Sequence, residues 1–197
     1  MKLRLFNTEI YISFLFAATV AFMLATDRTG MMLPTLFAVL IHESGHLFSM
    51  WAGDCAPKEI RLIPASVQII EGFPRSDALR VGIILGGPLA NIAVGGAVFI
   101  NYYLTGSSVS LRFALLNAVL ALFNLLPVSG LDGGRLLCLI LCRKKDLYSA
   151  LRIVKNVSIV LAAAVFFFGV VLGLNGKLNI SVFITALYLA VCTLIKM

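Results

Sequence analysis

Uncharged stretches divide the chain into apolar segments of the length of membrane spans. Asp, Glu, Lys and Arg are absent from five long runs, 10–26, 81–111, 113–131, 156–176 and 178–195. Another apolar stretch, near 31–51, is interrupted only by His42, Glu43 and His46. A helix needs about 20 mainly apolar residues to cross the hydrocarbon core of a bilayer. The pattern therefore predicts an all-α polytopic membrane protein with six transmembrane helices, near 8–26, 31–51, 81–103, 109–127, 155–174 and 179–196.

A second pattern, strict alternation, marks the loop between the second and third predicted helices, residues 52–80. Apolar and polar residues alternate in two short runs, Ile60-Arg61-Leu62 and Val67-Gln68-Ile69, with Pro64-Ala65-Ser66 between them. Alternation around a turn is typical of a β-hairpin. We therefore expect a short membrane-associated β-hairpin here, and a plain connecting loop is the alternative.

Composition agrees with a membrane protein. Of the 197 residues, 60% are hydrophobic and only 13% are charged, and the mean hydropathy is +1.01. A soluble domain has about 25% charged residues, so a water-soluble globule, a disordered chain and a collagen-like fibre are excluded. Four cysteines in such a chain do not predict a disulfide framework. We expect one transmembrane domain over residues 1–197.

The distribution of basic residues predicts the orientation. With the N-terminus inside, thirteen of the sixteen Lys and Arg residues fall on the inner side, and the outer side keeps Arg28, Arg112 and Lys177. The positive-inside rule then places both termini in the cytoplasm of a multi-pass cell-membrane protein. The net charge of +7 follows from these basic loops, which should also attract anionic lipid of the bilayer, so it indicates no nucleic-acid partner.

The second predicted span contains a polar cluster, His42-Glu43-Ser44-Gly45-His46. Ionisable groups inside a membrane helix are costly and therefore indicate function. Residues four apart share a helix face, so His42 and His46, the only histidines of the chain, can bind one metal ion. Glu43 is offset around the helix and can reach a water on that ion. This is the H-E-x-x-H arrangement of a zinc site with Glu43 as the catalytic general base.

A catalytic zinc needs a third protein ligand and an open position. The best candidate is Asp132, which follows the fourth predicted span. Pro127 and Gly130 are expected to break the helix before it, and broken backbone at membrane depth is tolerated where it lines a cavity. Asp132 and the histidines would then share one depth, towards the cytoplasmic side. The alternative for Asp132 is a helix N-cap in a cytoplasmic loop.

At this point the chain resembles a known family. The histidine cluster, Asn124-Leu125-Leu126-Pro127, Leu131-Asp132-Gly133-Gly134 and Gly86-Gly87-Pro88-Leu89-Ala90-Asn91 resemble the motifs of the site-2 proteases, intramembrane zinc metalloproteases of peptidase family M50. The six-span pattern is most similar to the subgroup that processes sporulation sigma factors. Ala65 and Ser66 stand where the family usually has two glycines in its hairpin.

The resemblance implies hydrolysis of peptide bonds in membrane-spanning or membrane-tethered proteins, such as a tethered transcription-factor precursor or an anti-sigma-like protein. It implies one Zn²⁺ per chain, held by His42, His46 and Asp132, and it places Asn91, Asn124 and Pro127 at the substrate. For Asn91, a hydrogen bond between helices is an equal alternative.

Two other classes stay open at this stage. One is a membrane protein that binds metal without catalysis, either a transporter or a degenerate protease that serves as a scaffold. Glu43 argues against the scaffold, and the lack of acidic residues spread across several spans argues against a transporter. The other is a membrane metalloprotease of a different family, with glutamate as third ligand. The other inner acidic residues considered for that role lie outside the predicted spans: Asp54, Glu59, Glu71, Asp77 and Asp146.

Overall fold

The computed structural model describes residues 2–5, 8–55, 57, 59–63, 66–70, 76–176 and 179–195. Helices dominate these residues: α1 Phe14–Thr26, α2 Met32–Ala52, α3 Asp77–Thr105, α4 Ser108–Asn124, α5 Asp132–Cys142, α6 Leu147–Leu174 and α7 Ile180–Ile195. Four short strands precede α1 or connect α2 with α3: β1 Lys2–Leu5, β2 Thr8–Ile12, β3 Glu59–Ile63 and β4 Ser66–Ile70. The chain forms two compact units, Met1–Phe123 and Asn124–Met197.

The strands of the first unit form one sheet in the order β1-β2-β3-β4. Strands β3 and β4 pair antiparallel, with Ile60 opposite Ile69 and Leu62 opposite Val67. They occupy the segment for which the alternation predicts a hairpin, while its turn, Pro64 and Ala65, lies outside the described residues. Strand β2 adds to β3 in parallel and β1 adds to β2 antiparallel. The alternation of apolar and polar residues does not predict these two strands.

The first predicted span, 8–26, is wrong in its first part. Residues Thr8–Ile12 form β2, and only the 13 residues of α1 are helical. A helix of this length extends about 20 Å at 1.5 Å per residue, which is less than the hydrocarbon core of about 30 Å. The cause is the backbone pairing of β2 with β3, which begins at Glu9 opposite Glu59.

The lengths and the apolar composition of the helices do not support the count of six spans. Among the described residues, two helices are long and apolar enough to cross a membrane, α3 with 29 residues and α6 with 28. Helix α3 begins four residues and helix α6 eight residues before the predicted start, each directly after a polar cap residue. The Ser76 hydroxyl accepts the Leu79 N–H at the start of α3, and the Asp146 carboxylate accepts the Ser149 N–H at the start of α6.

Large apolar side chains cover the outside of the helices. Phe14, Tyr103, Phe167 and Leu174 are each more than two-thirds exposed. Water solvates such a surface poorly, and soluble monomers rarely carry one of this extent. The apolar exterior is the kind of surface that lipid covers.

The Asp27 carboxylate organises the turn between α1 and α2. Its Oδ2 accepts the Met32 N–H at 2.8 Å, and its Oδ1 accepts the Thr29 and Gly30 N–H groups at 2.9 and 3.1 Å. These bonds favour the charged form, so the pKa of Asp27 lies below the ordinary value of 3.8, with the Met32 N–H as the largest cause. Gly30 supplies the positive φ, +68°, that the turn requires.

We expect the turn to loosen in acid. Because the folded pKa is lowered, the contribution of Asp27 to stability is present above pH 3.8 and is lost as the pH falls through the folded pKa. Hydrogen exchange at the Met32 amide, measured between pH 6 and pH 2.5 and corrected for the intrinsic rate, should show protection that declines in acid. Asp27→Asn is the control, since it cannot titrate. Equal pH dependence in both proteins would contradict this role.

Candidate metal centre

The two histidines lie one turn apart on the buried face of α2. The exposed fractions of His42 and His46 are 5% and 6%. His42 Nδ1 is 2.7 Å from Asn91 Oδ1, and His46 Nδ1 is 2.7 Å from the carbonyl oxygen of Ile83. Amide and carbonyl oxygens only accept hydrogen bonds, so each Nδ1 carries the proton and donates it. In the neutral imidazoles both Nε2 atoms are then acceptors.

These two acceptor atoms face each other. His42 Nε2 and His46 Nε2 are 3.2 Å apart, and the ring planes are nearly perpendicular at 82°. Two lone pairs at this distance repel unless a proton or a cation lies between them. Two nitrogen ligands at 2.0–2.1 Å from a tetrahedral zinc are separated by about 3.3 Å. The spacing of the pair therefore fits two ligands of one metal ion.

Small residues allow α3 to approach the histidines. A Cβ atom on Gly45 would meet the Gly86 carbonyl and Ala90, and one on Gly86 would meet Ser49 and the Gly45 carbonyl. A Cβ on Gly87 would lie 2.8 Å from His42 Nε2 and closer still to His46 Nε2. Close backbone approach at small residues is a common way for membrane helices to pack. Here it brings Ile83 and Asn91 within hydrogen-bond distance of the rings.

We expect Gly87→Ala to weaken zinc binding at least tenfold, which is the lower end of the effect of disturbing a ligand's support, about 10–100-fold. The new methyl group would displace both rings. Gly82→Ala is the matched control on the same helix, since its Cβ meets nothing within 4 Å. Competition with a chromophoric chelator measures both affinities. Equal zinc affinity in the two variants would show that Gly87 leaves the rings undisturbed.

Asn91 lies behind His42. Its side chain is completely buried, its Oδ1 faces His42 Nδ1, and its Nδ2 donates to the carbonyl of Ala38 and to Asn117 Oδ1. Both N–H donors are thus used inside the protein. In this structure Asn91 supports a histidine and links helices, and its predicted contact with a substrate stays a prediction.

Glu43 follows His42 on α2 and is half-buried. One residue along a helix rotates the side chain by about 100°. Glu43 is therefore on the flank of the histidine face, where the sequence analysis expects the general base.

In the second unit, Asp132 is the first residue of α5 and is 6% exposed. Leu131, and not Asp132, is the N-cap residue, so the predicted alternative of an N-cap aspartate is wrong. Arg135 Nη1 lies 4.0 Å from Asp132 Oδ1. A carboxylate at a helix N-terminus is favoured by the helix dipole.

The backbone before Asp132 is irregular and anchored. Helix α4 ends at Asn124 and α5 begins at Asp132, so the predicted break at Pro127 and Gly130 is confirmed, with Gly130 at φ +96°. The Ser129 N–H donates to Ser158 Oγ on α6 at 2.8 Å. Asn124 and Pro127 are half-buried in this segment.

The glycine pair after Asp132 has a steric role. A Cβ on Gly133 would meet the carbonyl of Leu125, and one on Gly134 would meet the carbonyl of Val128. The first turn of α5 therefore lies directly against the preceding loop. This close approach holds the backbone that carries Asp132.

Comparisons with known proteins agree with these observations. The model of peptidase family M50 matches residues 106–168, which contain Asp132 and the broken segment. A zinc metalloprotease of Methanocaldococcus jannaschii is 27% identical over 191 residues, which cover 91% of this chain. The chain spans about half, 54%, of the length of that relative.

The fold is also known. The structure of a site-2 protease from Methanocaldococcus jannaschii superposes with a TM-score of 0.72 and 21% identity, over 100% of this chain and 94% of that one. The two proteins therefore share a fold. The chain is thus similar to peptidase family M50 over residues 106–168 and to a zinc metalloprotease, and it shares its fold with a site-2 protease.

Proposed function

We propose that the protein is an intramembrane zinc metalloprotease, a zinc-dependent endopeptidase. The observation that carries the proposal is the histidine pair, whose Nδ1 atoms are held by acceptors and whose Nε2 atoms face each other at 3.2 Å. His42, His46 and Asp132 are all buried and each offers one ligand atom to a metal ion. Two imidazoles and one carboxylate suit a catalytic zinc, one per chain. The relative's description as a zinc metalloprotease supports the same conclusion.

Each residue then has a distinct task. Bound zinc supplies a Lewis acid that activates water and polarises the scissile carbonyl group. Glu43 takes a proton from the attacking water and passes it to the leaving nitrogen as the C–N bond breaks. His42 and His46 keep their Nε2 atoms towards the ion, because Asn91 and Ile83 hold the opposite ring nitrogens. The Asp132 carboxylate would offset part of the positive charge of the zinc ion.

The proposed substrate is a membrane-spanning or membrane-tethered protein. The apolar exterior and the two long helices support a multi-pass position in the cell membrane. The bias of basic residues supports cytoplasmic termini and a site that faces the cytoplasm. Since a helical amide is protected by its own hydrogen bonds, the substrate must be extended at the cut. Strand β4, at the edge of the sheet, could pair with it. Asn124 and Pro127 are proposed as further substrate contacts.

We further propose that the protein has the six-span arrangement of the sporulation subgroup. It rests on the apolar segments of the sequence and on the motif order. A tethered transcription-factor precursor or an anti-sigma-like protein is the substrate class it suggests.

The test combines metal content with cleavage. The detergent-purified protein is analysed for zinc, then incubated with single-span membrane proteins that carry a tag at each end. We expect about one zinc per chain, and cleavage that a chelator stops and added zinc restores. A folded protein that binds no zinc would overturn the proposal and favour a non-catalytic membrane protein.

A further inference from the structure

A second buried amide lies behind Asn91. Asn117 on α4 is completely buried, and its Oδ1 accepts a hydrogen bond from Asn91 Nδ2 at 2.8 Å. Its own Nδ2 donates to the carbonyl of Phe113, one turn earlier, at 2.9 Å. The three helices α2, α3 and α4 are thus joined by a chain of hydrogen bonds that ends at the ring of His42.

The hydrogen-bond donors and acceptors around Asn91 fix the orientation of its side-chain amide, and Asn117 is one of them. The Asn91 amide has two N–H donors and one oxygen. Its neighbours on one side are the Ala38 carbonyl and Asn117 Oδ1, both acceptors, and on the other side is His42 Nδ1. Only one orientation of the amide pairs both donors and turns the oxygen towards the histidine. A flipped amide would place its oxygen against two acceptors in a buried site, where unsatisfied polar groups are costly.

The orientation of Asn117 is fixed in the same way. Its N–H faces the Phe113 carbonyl, which can only accept, so its oxygen must face Asn91. The donor and the acceptor of each hydrogen bond are therefore fixed, from the Phe113 carbonyl on α4 to the ring of His42. Asn91 Oδ1 accepts the proton on His42 Nδ1 in a hydrogen bond. The unprotonated Nε2 of His42 is then the atom that can bind the metal ion.

We propose that Asn117 is a positioning residue for the metal centre. It fixes the amide of Asn91, and through it the tautomer and ring orientation of His42. The inference rests on the proposed zinc site. Supporting residues outside the ligand set typically contribute about 10–100-fold to metal affinity.

The test uses Asn117→Leu, which keeps the size of the side chain and removes the acceptor. Zinc affinity, measured by chelator competition, should fall about 10–100-fold. Asn117→Asp, neutral in this buried site, keeps an oxygen towards Asn91 and an O–H towards the Phe113 carbonyl. It should bind zinc within about threefold of the natural protein. The control is Asn101→Leu, which removes another amide hydrogen bond between α3 and α4, from Asn101 Nδ2 to Ser110 Oγ at 2.9 Å. It should leave the affinity unchanged.

A spectroscopic readout separates positioning from general destabilisation. The chain has only two histidines, so ¹⁵N-histidine labelling reports two rings. In Asn117→Leu, with and without zinc, we expect the Nδ1–H signal of His42 to shift and exchange faster, while that of His46, held by Ile83, is unchanged. Equal effects on both rings, or none on His42, would overturn the inference. If Asn117→Leu does not fold, Asn117→Ala provides the same test.

The two proposals fail in different ways. Absence of zinc from the folded natural protein counts against the proposed function, while the response of the His42 ring still tests Asn117. Normal zinc binding together with an unaffected Asn117→Leu variant counts against the role of Asn117 alone.

Discussion

His46→Ala is expected to lose the bound zinc, and peptide hydrolysis with it. The substitution removes one of two imidazoles whose Nε2 atoms lie 3.2 Å apart, so the ion keeps at most two protein ligands. The loss of affinity should exceed about 100-fold, the upper end of the range for supporting residues. Asp132→Ala should have a similar effect, since it removes the only carboxylate of the proposed ligand set. Zinc content after dialysis against a weak chelator measures both.

Matched variants keep this result interpretable. Ser49→Ala changes a small side chain on α2 that bonds the Gly45 carbonyl, and Asp146→Ala removes an acidic residue at the start of α6. Both should retain about one zinc per chain. If His46→Ala binds zinc as tightly as these controls, the ion is not at the histidine pair.

The sequence predicts the metal-binding residues of the centre better than it predicts the groups that hydrogen-bond to them. A spacing of four residues places His42 and His46 on one helix face whatever the surroundings, and Pro127 and Gly130 must interrupt a helix. The partner of His46 is the carbonyl oxygen of Ile83, and a backbone atom has no residue identity to read. Asn117 offers a weak signal, an amide within an uncharged apolar run, but its partner depends on how α3 and α4 pack.

The errors in the spans have a similar origin. The apolar run that begins at Ile10 looks the same whether its first residues enter a helix or pair as β2 with β3. That choice depends on a strand some fifty residues away. The early starts of α3 and α6 depend on caps by Ser76 and Asp146, which are polar and therefore fall outside a count of apolar residues.

Glu43→Gln is expected to keep the zinc and to lose cleavage. Glutamine has the size of glutamate and can still form hydrogen bonds, but its amide cannot take up a proton. Removing a general base typically slows a reaction by about 10²–10⁴-fold. His42 and His46 keep their partners Asn91 and Ile83 in this variant, so zinc affinity should stay within about threefold. This split between affinity and rate distinguishes the base from a ligand.

Single-turnover cleavage of a tagged membrane substrate by zinc-loaded protein measures the rate, and chelator competition measures the affinity. Ser44→Ala is the matched control, since Ser44 is the exposed neighbour of Glu43 and its hydroxyl donates to the Leu40 carbonyl one turn earlier. It should cleave at nearly the natural rate. Cleavage by Glu43→Gln at the rate of Ser44→Ala would contradict the role of Glu43. Loss of zinc from Glu43→Gln would instead make Glu43 a ligand, and Asp132 would then be in question.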